Sequence, residues 1–249
     1  RYLAGGEARR MFRIKIAPAA LLDRFARIGE LSAAATVRAL NNAAFEVRSG
    51  WVSEVRRVFD RPTPLTQRAP LYKKATLDRV IAEVFIRDDA TKGTPPVKYL
   101  FPQVAGGPRG QKRSERLLQR QLGFPAYWVP GPAAPRDAYG NVPGSFIMRV
   151  LTSVQATADP AQRTPGRKVS RRSRGRKRLF FIPRAGVASS LKRTTIYERR
   201  ADGSAAPVLI GIPRSPQYRR RFDAIGVARR IFYDRFRSNI NLELARIIK

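Results

Sequence analysis

Residues 11–16, MFRIKI, alternate: Phe12, Ile14 and Ile16 fall on one side, Arg13 and Lys15 on the other. A period of two marks a half-buried strand. Pro18 then sits where a first helical turn tolerates it, and AALLDRFARIGE follows as a short helix. From Leu31 or Ser32 the period changes. Leu40, Ala44, Val47, Trp51, Val55 and Val58 recur at spacings of three and four, which predicts one face of a helix over about 32–59. Arg38, Arg48, Arg56 and Arg57 lie off that stripe, and the two prolines of DRPTP end it.

Two strands are predicted next, near 71–76 and 80–87. In the second, Val80, Ala82, Val84 and Ile86 make an apolar face, and Ile81, Glu83, Phe85 and Arg87 a mixed one. That suits a sheet strand packed on a helix. Residues 88–97 read as loop, and VKYLFPQVAGGPRG as an extended segment ending in a glycine turn. QKRSERLLQRQLG reads as a short basic helix stopped by Gly123. From Phe124 to Pro143 the chain is rich in Pro and Gly and has no period. Ser145 is then expected to cap a short apolar helix, FIMRVLTSVQ.

Three more strands are expected near 179–183, 194–198 and 207–212, with turns at Gly186 and Gly203. A long helix follows over about 216–247, its stripe made of Tyr218, Phe222, Ile225, Ala228, Phe232, Phe236 and Ile240. Gly226 inside it costs roughly 1 kcal/mol against Ala. The expected fold class is α+β: a mostly antiparallel sheet packed by the long N-terminal and C-terminal helices. One domain is expected over residues 1–249, with a loop-rich insertion over 98–155. Its two halves share a sheet, because neither offers many strands by itself.

Residues 156–178 break the pattern. They hold nine basic residues against one acidic residue, Asp159, and Val169 is their one large aliphatic side chain. That composition reads as a flexible arm or linker. The whole chain of 249 residues carries 50 Lys+Arg against 18 Asp+Glu, a formal charge of +32, with no His and no Cys. Lack of His removes a Ser-His-Asp triad, an imidazole base and histidine metal ligation. Lack of Cys removes disulfides, thiolate nucleophiles and zinc–cysteine sites, and fits a reducing compartment. A hydrophobic fraction of 43% is too high for a disordered basic tail. No run of about 18 apolar residues is present, so no spanning helix and no membrane partner is expected. RYLAGGEARR has no apolar core of a signal peptide. Residues 1–10 either precede a natural start at Met11, or the numbering begins inside a longer chain.

A charge this large repels itself unless a polyanion screens it. The arm supplies the first candidate contacts: Arg163, Arg167, Lys168, Arg171, Arg172, Arg174, Arg176, Lys177 and Arg178. They either lie on phosphates and release counterions, or dock on acidic protein neighbours, or form a solvated loop. The helix over 111–121 supplies Lys112, Arg113 and Arg116, with Arg120 beyond them; these either flank phosphates or make a solvated face. Tyr127-Trp128 fits a packed loop or subunit contact better than base stacking, and Phe180-Phe181 fits strand core. Asp88, Asp89 and Glu83 are oxygen ligands of the kind Mg²⁺ takes, and they carry a metal-dependent nuclease reading. No positioned Lys or further carboxylate accompanies them. GGPRG lacks the Lys-Ser/Thr of a phosphate-binding loop. No catalytic residue, metal site or cofactor is therefore expected.

VFDRPTPLT, KGTPPVKYLFPQVAGGPRGQKRSERLL and DAYGNVPGSFIMRVLTSVQA, which begin at residues 58, 92 and 137, resemble a family of tailed-bacteriophage virion proteins described as structural or tail proteins. PVLIGIPRSPQYRRRFDAIGVARRIFYDRF resembles that family's closing strand and helix. The resemblance spans about residues 35–155 and 205–240, and the basic run lies outside it. By order of elements the chain also resembles tail-completion or neck proteins of long-tailed phages. This resemblance implies a non-enzymatic virion component made in the bacterial host cytoplasm. It implies a ring of copies at the head–tail junction, in a neck, tail-completion or tail-terminator role. The implied partners are portal, adaptor, tail tube or tail proteins, with contact to phage DNA passing through. The alternative reading is a basic nucleic-acid-binding protein of ribosomal or nucleoid type.

Overall fold

The stripe that begins at Leu40 organises the first of two cores. In the computed structural model, which describes residues 12–16, 30–91, 93–123, 126–157, 179–183 and 194–248, helix α1 spans Glu30–Val58 and fully buries Leu40, Ala44, Val47, Trp51 and Val55. One side of α1 receives a three-stranded antiparallel sheet of β1 (Arg13–Ile16), β2 (Pro70–Lys73) and β3 (Ala82–Ile86), in the order β1-β3-β2. Ala82, Val84 and Ile86 point into the core, as the alternation in β3 requires. The strand registers put Ile14, Val84 and Tyr72 in one row on that inner face. Asn41 of α1 pins the chain after β2: its amide accepts from Ala75 N (2.7 Å) and donates to Ala75 O (3.1 Å).

A second long helix, Ala224–Ile248, packs along α1 and buries Val227, Ala228, Phe236 and Ile240. Small residues permit the approach. A Cβ on Gly50 would stand 2.1 Å from Ile231 Cδ1. The Trp51 indole N–H donates to Ala224 O at 2.9 Å, so the largest core side chain is also hydrogen-bonded. This helix starts later than its apolar stripe suggested. Asp223 accepts from Gly226 N (3.2 Å) at the first turn, and Phe222 is core without being helical. Gly226 has its own reason, since any Cβ there would meet Asp223 Oδ2 at 2.0 Å.

Two shorter helices complete this unit: α2 (Pro64–Gln67), capped by Thr63, and α3 (Pro96–Ala105). The segment containing α3 read as extended because of its prolines. Pro95 and Pro96 instead sit at the helix start, where a missing N–H costs nothing. Pro102 is tolerated because Val97, Leu100 and Val104 bury one face.

The chain divides into two compact units, residues 1–107 with 218–249, and residues 108–217. Each unit has its own sheet and its own apolar cluster, where one sheet shared by the two halves was expected. The inserted part is 108–217 rather than 98–155, since α3 belongs to the first unit. The second unit contains α4 (Arg113–Leu122), β4 (Tyr127–Pro130), α5 (Gly144–Ser153), β5 (Phe180–Phe181), β6 (Thr195–Arg199) and β7 (Ala205–Ile212). Its sheet is antiparallel in the order β4-β7-β6-β5. Strand β4 was hidden in the Pro/Gly-rich stretch, and with it the inserted unit needs no strand from the other half.

The core of this unit is built from Leu118, Trp128, Phe146, Val150, Leu151, Phe180, Ile196, Val208 and Leu209. Phe146 and Phe180 meet edge to face at 5.3 Å. Pro207 lies within β7 where the pairing with β6 shifts register, the place a strand accepts a residue without N–H. After β4 the backbone turns so tightly that a Cβ on Gly131 would sit 2.4 Å from Pro207 O. Pro143, not Ser145, precedes α5, and no side chain caps it. Ala156 and Thr157 are buried, so the fold continues two residues into the stretch assigned to the arm. The short helix expected after Pro18 and the turn at Gly186 lie outside the described residues.

Candidate basic contact surfaces

Arg163, Arg167, Lys168, Arg171, Arg172, Arg174, Arg176, Lys177 and Arg178 all lie outside the described residues. The other three candidates are on or next to α4. That helix buries Leu118 and turns Arg113, Arg116 and Arg120 to solvent. None of these three arginines has a carboxylate partner among the described residues. Lys112, just before the helix, is also exposed. Desolvation by surrounding protein, and then the charge of Arg109, hold its ammonium below the ordinary lysine range against the pull of Glu115.

The first turn of α4 is closed from inside. Glu115 is 2% exposed and accepts from Lys112 N (2.7 Å), Trp128 N (3.1 Å) and Arg109 Nη1 (2.7 Å), with a further short contact from Arg109 Nη2. Burial pushes its pKa up. The Arg109 guanidinium and the two backbone N–H groups outweigh that, so the carboxyl titrates below its ordinary 4.5. One amide at this helix start, that of Lys112, is therefore held from inside, and the Glu115 carboxylate places negative charge against the helix terminus.

A second basic surface runs through 219–221 into the C-terminal helix. Arg219, Arg221, Arg229, Arg230 and Arg237 are exposed and have no carboxylate partner among the described residues. Their neighbours are committed: Arg220 to Asp223, Arg235 to Glu46 at 3.5 Å, and Arg246 to Glu243 at 2.8 Å.

The third surface is the outer face of the β1-β3-β2 sheet. Register places Lys15, Glu83 and Lys73 in one row across the three strands, and Arg13, Phe85 and Leu71 in the next. Residues directly opposite in antiparallel pairs share a face. Glu83 is 1% exposed, with one oxygen on Arg13 Nη1 and the other on Arg79 Nη2, both at 2.6 Å. The Arg13 guanidinium also lies over the Phe85 ring at 4.9 Å. Lys15 and Lys73 flank Glu83, both exposed. The alternation identified the mixed face of β3, but not the lysines that flank it. That row needs the register of β2 against β3, and of β1 against a β3 that lies far along the chain.

This geometry withdraws Glu83 from the nuclease reading, because both its oxygens are taken by arginines. Asp88 and Asp89 follow β3 on a loop, and no group of three Asp or Glu that could hold a metal ion occurs among the described residues. Tyr127 and Trp128 are strand residues, with Trp128 buried and Tyr127 facing Arg109 at 5.5 Å. Phe180 is core, as expected, and Phe181 lies under Arg199 at 4.8 Å. No helix among the described residues is long and apolar enough to cross a membrane. No protein-family model, no curated protein and no solved structure matches the chain.

Proposed function

We propose that the chain is a non-enzymatic structural component of a tailed-bacteriophage particle, placed at the head–tail junction. There it joins portal or adaptor to tail through a ring of copies. One observation carries this reading: exposed Arg113, Arg116 and Arg120 on α4, Arg219 and Arg221, and Arg229, Arg230 and Arg237 on the C-terminal helix find no carboxylate among the described residues. Unpaired cations of this kind repel one another within each unit, and the repulsion is relieved when neighbours supply negative charge. The resemblance of residues 35–155 and 205–240 to virion proteins supplies the setting. Mass spectrometry of purified particles of the encoding phage tests it. The chain is expected there in a ring-sized copy number, and its absence overturns the proposal.

The second reading, a basic nucleic-acid-binding protein of ribosomal or nucleoid type, is favoured by the same surplus of cations and by the composition of the arm. It expects the chain on host ribosomes or nucleoid and not in particles, so one fractionation experiment separates the two.

A further inference from the structure

We infer that the outer face of the β1-β3-β2 sheet is a contact surface for the phosphate backbone of duplex DNA, with Lys15 and Lys73 as its two principal contacts. The inference rests on this sheet and not on the place of the chain in a particle.

The sheet holds its cations in a fixed pattern. Lys15 and Lys73 stand on either side of β3, two interstrand spacings apart, about 10 Å between backbones. Between them lies the carboxylate of Glu83, already saturated by Arg13 and Arg79. Four cations thus surround one buried anion, and neither lysine has an ion-pair partner among the described residues. Arg13 and Arg79 hold Glu83 while their side chains remain 32% and 45% exposed. The opposite face of the same sheet is buried on α1, which fixes the strands that carry these groups.

Charge complementarity requires a polyanion, and the composition of the face decides which kind. Protein interfaces concentrate aromatic and apolar anchors at their centre and exclude lysine from it. Here the centre is the Lys15–Glu83–Lys73 row, and Phe85 and Leu71 are half-buried at its side. Protein–DNA interfaces are more polar and far more positive. Single strands are held chiefly by bases stacked on open aromatic rings. Phe85 offers no such platform, because Arg13 covers its ring. What remains is sequence-independent contact to a backbone, the mode in which cations position a duplex without reading it.

The test uses the full chain and a fluorescent duplex of about 30 base pairs in two unrelated sequences, titrated at several salt concentrations. Losing two phosphate contacts in K15A/K73A should flatten the slope of log K against log salt by about 1.8, and weaken binding roughly fifty-fold near 0.1 M salt. Both sequences should respond alike. K15R/K73R should bind as the parent does. K15Q/K73Q keeps the side-chain stems over the sheet and answers the same question if truncation loosens β1. A parental slope in both the Ala and Gln variants overturns the inference. So does tighter binding to a single strand of the same sequence, or a loss confined to binding of polyglutamate, which would make the partner an acidic protein surface.

Discussion

Glu115 in one unit and Glu83 in the other are both buried against arginine, and the two sites are built in opposite ways. Glu115 is enclosed together with its partner: Arg109 is only 11% exposed, and two backbone N–H groups complete the set. Glu83 is equally buried, but its two arginines reach solvent and its cross-strand neighbours are lysines. Glu115 ties the loop before α4 and strand β4 to the helix. Glu83 organises a cationic face that points outward. Burial of a carboxylate is thus the same in both cases, and the exposure of its partners decides whether the site serves the interior or the surface.

Removing the charge of Glu115 should give the largest effect. E115Q leaves Arg109 nearly buried without an anion, and a loss of roughly 3 kcal/mol is expected in urea unfolding. Amide exchange should accelerate over α4 and β4 and stay unchanged over β3. A loss below about 1 kcal/mol would break the contrast. The pH dependence follows the same group. Its folded pKa lies below 4.5, so its contribution is complete above the unfolded value and is lost as pH falls from there through the lower folded value. Exchange protection of α4 and β4 should therefore weaken with acid over that window, and E115Q should remove this dependence.

E83Q should cost less, about 1 to 2 kcal/mol, since both arginines can regain water. It should also tighten duplex binding slightly by deleting the one anion of the row. Equal losses for E83Q and E115Q in matched urea curves would erase the distinction between the sites. R79A should have the smallest effect, below about 1 kcal/mol in the urea midpoint, because Arg13 still holds Glu83.

Much of the framework was legible in the sequence. The two long helices and all six anticipated strands exist, because each has a period dictated by one apolar face. What escaped was hidden by proline. Val97, Leu100 and Val104 have helical spacing, yet Pro102 among them argued against a helix. The four residues of β4 are too few for alternation to stand out between Pro125 and Pro130. The surfaces divide in the same way. Exposure of Arg113 and Arg116 follows from helical spacing around Leu118, whereas the Lys15–Glu83–Lys73 row depends on β1 pairing with a strand far along the chain.

The insertion of one unit inside the other also sets an order of events during synthesis. The side of α1 that receives the C-terminal helix, including Trp51 and the notch at Gly50, leaves the ribosome long before Ala224–Ile248 exists to cover it. All of residues 108–217 must be made in between, on the order of ten seconds of translation. The inserted unit, complete in chain order, is free to fold during that interval. The first unit is held open with an apolar flank uncovered, so this interval is the point at which a nascent chain is exposed to aggregation and to chaperone capture.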